Sequence, residues 1–218
     1  MKILYLAHAS FLITSESGFK VITDPYGPDL GYRLPNKSAD VVLVSHDHHD
    51  HNNISSVIGR TTVLNGAGTH RVGEAAFRGI LGSHGGSRGQ VILFTWEMDG
   101  LKLCHLGDLG TTLSPEQVRE IGAVDVLFVP VGGHYTLDAA GAHEVAGQLQ
   151  ARVVIPMHFL TGQIDRTRFP IEGVERFTEG RKNVRRVRTS EVDLSSASLP
   201  NVGANDYSPL ILVLTNSM

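Results

Sequence analysis

The sequence predicts an α/β protein in which two β-sheets are sandwiched between helices, with a polar site along one shared sheet edge. Three observations predict it. Short, apolar, β-branched runs recur along the chain with a few helical segments between them. Residues able to hold a metal follow the carboxyl ends of several runs, the edge where α/β sheets carry their ligand sites. The two halves also repeat one plan loosely. Lys2–Leu6 and Val41–Ser45 lead to a histidine-rich run, while Leu101–Leu106 and Val124–Val129 lead to Gly107-Asp108 and Gly132-Gly133-His134.

The remaining strand candidates are Ser10–Thr14, Lys20–Thr23, Thr62–Leu64, Val91–Thr95, Val153–Pro156 and Leu210–Leu214. Alternating valines in Arg181–Arg188 suggest a further strand with one solvated basic face. Ser114-Pro115-Glu116-Gln117 opens a helix running to Ile121, with Ser114 as N-cap and Pro115 at the first helical position. Asp138–Gln150 is a second helix, with Glu144, Val145 and Leu149 at helical spacing, and Asn53–Ile58 a short third. Gly82–Gly89, with four glycines in eight residues, reads as loop.

The chain has 218 residues, which suits one domain spanning 1–218 with a core large enough to enclose a site. A formal charge of −3 argues against a broad nucleic-acid or anionic-membrane surface. Cys104 is the only cysteine, so a reducing cytoplasm is the simpler setting and no intrachain disulfide can form. Ala7-His8-Ala9 mimics a signal-peptide cleavage site. The apolar run before it, Ile3–Ala7, is shorter than a typical signal core, so the chain is read as soluble and unprocessed. A homo-oligomer is expected only on the general habit of soluble enzymes.

The chemistry starts at His46-Asp47-His48-His49-Asp50-His51. Its His-x-His-x-Asp-His pattern puts three imidazoles and a carboxylate in a six-residue window after a buried strand. From composition alone the pattern arises with a probability on the order of 10⁻³. Nitrogen and carboxylate oxygen donors suit zinc, iron or manganese better than calcium or magnesium. One loop cannot close two metal sites, so further ligands should come from downstream. Three places offer them: His84 on the glycine-rich loop, Asp108 between Gly107 and Gly110, and His158 after Val153–Pro156.

With these residues in order after Asp24, the chain resembles the metallo-β-lactamase fold superfamily. Leu6-Ala7-His8-Ala9-Ser10-Phe11, His105-Leu106-Gly107-Asp108-Leu109-Gly110 and Pro130-Val131-Gly132-Gly133 more narrowly resemble its ascorbate-6-phosphate lactonase-like branch. The resemblance covers Lys2 to about Phe159, and the last 60 or so residues carry no motif. It implies a four-layer αββα sandwich of two mixed β-sheets flanked by helices. It also implies two divalent ions, zinc first, with manganese or iron as alternatives. His46, His48 and His84 would hold one ion; Asp50, His51 and His158 the other; Asp108 would bridge them. Asp24 would orient a ligand imidazole from behind.

The implied reaction is attack by metal-bound hydroxide on an ester-like bond of a small metabolite, a lactone or a phosphoester. Asp50 and Asp108 would serve it directly. His8 and His105 are the candidate proton donors to the leaving group or substrate contacts, and His134-Tyr135-Thr136 would line the mouth. His49, His70 and His143 fall outside the set, and Trp96 and the phenylalanines read as core. Three alternatives stand beside this reading: an iron enzyme doing redox or oxygen chemistry on the same fold, a nuclease, and a metal-binding module without catalysis.

Overall fold

The computed structural model describes residues 1–34, 36–201 and 207–216. Two mixed β-sheets pack face to face. The six-stranded sheet has the order β13-β1-β2-β3-β4-β5 and the eight-stranded sheet β12-β14-β11-β10-β9-β8-β7-β6. In the first, β1 (Lys2–Ala7), β2 (Ser10–Thr14) and β3 (Lys20–Thr23) form an antiparallel meander. β4 (Val41–Leu43) and β5 (Thr62–Leu64) continue it in parallel, and β13 (Glu191–Asp193) closes the other edge against β1.

In the second sheet, β6 (Gly68–Val72), β7 (Ala75–Ser83), β8 (Gln90–Met98) and β9 (Leu101–His105) run antiparallel. β10 (Val126–Pro130), β11 (Val153–Met157), β14 (Leu210–Val213) and β12 (Val184–Arg186) follow in parallel.

Strand alternation decides what lies between the sheets. Ile3, Tyr5, Phe11, Ile13, Val21, Val41 and Leu43 join the main core with the eight-stranded sheet. Their neighbours Leu6, Ile22, Val42 and Val44 point to the opposite face, into two smaller clusters. β8 to β11 are buried along almost their whole length, as expected of strands covered on both faces.

All three α-helices belong to the eight-stranded sheet's side: α1 (Pro115–Ile121) packs on β7, α2 (Ala139–Gln148) on β10, and α3 (Val174–Thr178) on α2. Ser114 caps α1 through a full capping box, and Asp138 caps α2 by accepting from the Gly141 amide at 2.8 Å. The six-stranded sheet is covered instead by short pieces. The helix expected over Asn53–Ile58 is only the 3-10 turn Ile54–Ser56, and a second such turn spans Pro28–Leu30. Three residues cannot satisfy an α-helical ladder, and the Val57 amide closes the turn back to the Ile54 carbonyl. No helix among the described residues is long and apolar enough to cross a membrane.

β6, β7, β13 and α3 were not expected from the sequence. β7 reads Ala-Ala-Phe-Arg-Gly-Ile-Leu-Gly-Ser, poor in β-formers. Its Gly79 is required by packing, since a Cβ there would run into the Gly66 carbonyl oxygen. Gly82 and Ser83, read as loop, are the last residues of this strand. The basic run 181–188 contributes only three paired residues, Val184–Arg186, at the sheet's edge.

Candidate metal centre

The carboxyl ends of β3, β4, β9 and β11 converge on one spot, carrying Asp24, the run after Ser45, Asp108 and His158. Two backbone bonds stitch the sheets together there. The Ile92 amide donates to the Ser45 carbonyl at 2.7 Å, and the His158 amide donates to the His8 carbonyl at 3.0 Å. Glycine makes the close approach possible: at Gly110 and Gly132 a Cβ would collide with the carbonyls of His84 and His158 respectively. His8, Asp24 and His158 themselves take positive φ values of 56°, 35° and 51°. Such left-handed backbone is strained for residues with a side chain and is concentrated at functional sites.

Asp108 is the centre of the cluster. Its Oδ1 lies 3.2 Å from His51 Nε2, and its Oδ2 lies 3.4 Å from both His84 Nε2 and His158 Nε2 and 3.8 Å from His46 Nε2. Ligand-capable atoms fall into three groups lying within 4.8 Å of one another: His46, His48 and His84; His8, Asp50, His51 and His158; and His46, His51 and Asp108. His51, His84, Asp108 and His158 are buried, whereas His48 is exposed at the cavity mouth.

A second layer orients these rings. Asp24, fully buried, takes the Ser45 amide on Oδ1 at 2.7 Å and the Ser45 hydroxyl on Oδ2 at 2.7 Å. The same Oδ2 accepts from His51 Nδ1 at 2.9 Å. Having given its proton to Asp24, the Ser45 hydroxyl accepts from His46 Nδ1 at 2.9 Å. Both rings therefore turn Nε2 toward Asp108, an arrangement that hydrogen-bonded metal ligands commonly share.

Burial opposes charge throughout the cluster, and the neighbours decide each outcome. At His51, burial is outweighed by Asp108, Asp50 and Asp24, which hold its proton well above the usual histidine range. At Asp108, burial is overcome by His158 and His51, so the carboxyl sits well below its ordinary range. Asp50 is lowered in the same way by His51 and His8. His46 and His8 go the other way. Burial, followed by the charge of His51, takes His46 to about 3, and burial with His158 beside it takes His8 to about 4.

The remaining candidates separate. His8 is buried, with Nε2 3.3 Å from Asp50 Oδ2 and its ring 4.2 Å from that of His158. His105 is buried with both ring nitrogens taken by backbone: Nε2 donates to the Ala9 carbonyl at 2.9 Å, and Nδ1 accepts from the Gly107 amide at 3.2 Å. His49 has a side chain 62% exposed, and Asp47 is engaged by Asn52 on the surface. His70 and His143 lie elsewhere, bonded to the Gly66 and Phe177 carbonyls. Cys104 is buried in β9, and burial pushes its thiol up to about 12.

A cavity of about 380 Å³ opens over the cluster, lined by His48, Asp50, His84, Asp108 and His158 together with Arg88, Tyr135 and Phe169. Two of the last three were missed in the sequence. Arg88 sits among glycines that read as featureless loop, and Phe169 lies in the segment without motifs. Tyr135 was legible only as a neighbour of Gly132-Gly133.

Known proteins share this fold. A family model for the β-lactamase superfamily domain matches residues 2–158. A UPF0173 metal-dependent hydrolase of Archaeoglobus fulgidus is 31% identical over 196 residues, covering 74% of this chain and 84% of the relative. One from Carboxydothermus hydrogenoformans is 30% identical over 194 residues, covering 74% and 85%. A crystal structure from Thermotoga maritima, of a candidate zinc-dependent hydrolase of the metallo-β-lactamase superfamily, superimposes with a TM-score of 0.81. It is 36% identical, and the match covers 99% of each chain. None of these three is named for a substrate. Matched in sequence over most of its length and in fold over nearly all of it, this chain belongs to the metallo-β-lactamase superfamily, among its metal-dependent hydrolases.

Proposed function

We propose that the chain is a dinuclear hydrolase that cleaves an ester-like bond, lactone or phosphoester, in a small metabolite. The observation that carries this reading is Asp108, whose two oxygens lie 3.2–3.8 Å from the Nε2 atoms of four histidines drawn from both sheets. His46, His48 and His84 are assigned to one ion and Asp50, His51 and His158 to the other, with Asp108 between them.

The donor set fits such ions. Ligands about 2.1 Å from a tetrahedral zinc are spaced about 3.4 Å apart, close to the separations around Asp108. Buried His51 Nε2 and Asp108 Oδ1 face each other at 3.2 Å without a well-formed hydrogen bond, although each belongs to a group that ordinarily makes one. Zinc is the first choice for three-histidine donation, and manganese or iron remain chemically compatible. When bound, the metal pair supplies Lewis acidity and brings the pKa of coordinated water toward neutrality.

The chain's own residues do the rest. Asp24 keeps the Nδ1 proton of His51, and Ser45 keeps that of His46, so each presents Nε2 toward Asp108. His8 is a positioning residue: it holds Asp50 at Oδ2 and does not line the cavity. His105 is assigned to packing, because both its nitrogens are committed to backbone. Tyr135 and Phe169 exclude water from one wall. The cavity's size suits a small molecule.

The test is elemental analysis of purified protein coupled to a panel of lactones, phosphomonoesters and phosphodiesters. About two equivalents of zinc or manganese with turnover of one class is the expected result. Iron with visible absorption and oxygen consumption would overturn it.

A further inference from the structure

One charged residue of the cavity has no part in the metal cluster. Arg88, on the loop between β7 and β8, lines it together with Asp50 and Asp108. Its guanidinium carbon stands 5.4 Å from the centre of the Tyr135 ring, and one Nη donates to the His134 carbonyl at 3.2 Å. His134 packs edge-on against the same ring at 4.4 Å and has a positive φ of 57°.

The arginine is thus held over an aromatic face, yet among the described residues no carboxylate lies within ion-pair distance of it. A guanidinium has five N–H donors, and the protein uses one. Its planar fork matches carboxylate and phosphate oxygens in pairs. Beside it, Tyr135 and Phe169 are half-buried and pack against the smaller apolar cluster that includes Tyr32, Ile164 and Ile171, giving the cavity an apolar wall next to a cation.

We propose that Arg88 selects the substrate. The site takes a small ester-like molecule with an oxyanionic group, carboxylate or phosphate, set apart from the bond to be cleaved. That group meets Arg88 while the carbon skeleton lies against Tyr135 and Phe169. This inference rests on the hydrolase reading, which supplies the metal centre in the same cavity.

The test is calorimetric binding to zinc-reconstituted protein of three thiols that anchor alike on metal: 3-mercaptopropanoate, 3-mercaptopropanamide and 2-mercaptoethylphosphonate. Wild type should prefer the two anions over the amide by at least about tenfold, the worth of one charge-assisted hydrogen bond. In Arg88→Gln the three should bind alike, and Arg88→Lys should restore part of the preference. Arg88 is exposed, so these variants leave the core intact. The stronger of the two anions tells a phosphate from a carboxylate substrate. Equal binding of anion and amide to wild type, or a preference that survives in Arg88→Gln, overturns the inference alone. Failure of every thiol to bind overturns the metal-centre reading and this inference with it.

Discussion

His51 donates from Nδ1 to Asp24 at 2.9 Å, and this single bond sets the proton inventory of the centre. With Nδ1 committed, only Nε2, 3.2 Å from Asp108, is free to exchange a proton for a cation. Since the surrounding carboxylates raise His51 well above the usual histidine range, chelator-treated protein carries that extra proton at pH 7. Metal uptake must therefore release it. Titrating zinc in buffers of different ionisation enthalpy should reveal at least about one proton expelled per chain at pH 7, the one from His51 plus any lost by coordinated water. Uptake with no proton release would show that His51 is neutral beforehand.

Removing the shared carboxylate should cost metal before it costs the fold. Asp108→Ala is expected to lose at least one metal equivalent by elemental analysis with an unchanged far-ultraviolet spectrum. Asp47→Ala and His49→Ala, both directed to the surface, should retain the full complement. Full retention in Asp108→Ala would sink the bridging assignment.

The chelated protein should be most stable near pH 6.5. His46 and His8 fall to about 3 and about 4 in the fold, so below 6.5 the unfolded chain takes up protons that the native state refuses. Stability then declines as pH falls through this window. His51 has the opposite sign. Its raised value gives stability that is complete below 6.5 and is lost as pH rises toward its folded value. Urea midpoints at pH 5, 6.5 and 8.5 should trace a maximum, and a steady rise across the three would contradict the assignment.

His105→Leu separates packing from catalysis. It strands the Gly107 amide, at about 1–3 kcal/mol for a buried group left unpaired, while the Ala9 carbonyl keeps the Thr23 hydroxyl as donor. The variant should unfold earlier in urea, while the pH profile of kcat for any substrate found in the panel keeps its shape. A lost limb in that profile would return His105 to the chemistry.

The sheets and the centre were legible to different degrees, for physical reasons. Strands such as Val126–Pro130 and Val153–Met157 are buried on both faces and announce themselves as unbroken apolar runs. β7 hid because its glycines are selected by contact with Gly66 and Leu93, information that exists only once the sheet is assembled. His46, His48 and His51 could be read because imidazoles crowded on a loop have little packing value. His105 shows the opposite case. It ends a strand beside the motif just as a ligand would, and only its backbone partners distinguish it. Arg88 and Phe169 left no trace, since one arginine or phenylalanine in a loop is unremarkable until three segments meet.

The backbone bond from His158 to His8 joins opposite ends of the family-matched region, and this has a consequence for the order of assembly. The residues around Asp108 become neighbours only after both sheets have closed on each other, because these contacts are non-local and form late. A nascent or half-folded chain therefore offers a cation nothing beyond the local histidine run. Cation capture is a latch thrown on a finished sandwich, so metal scarcity should leave folded, empty protein waiting to be loaded instead of misfolded chains.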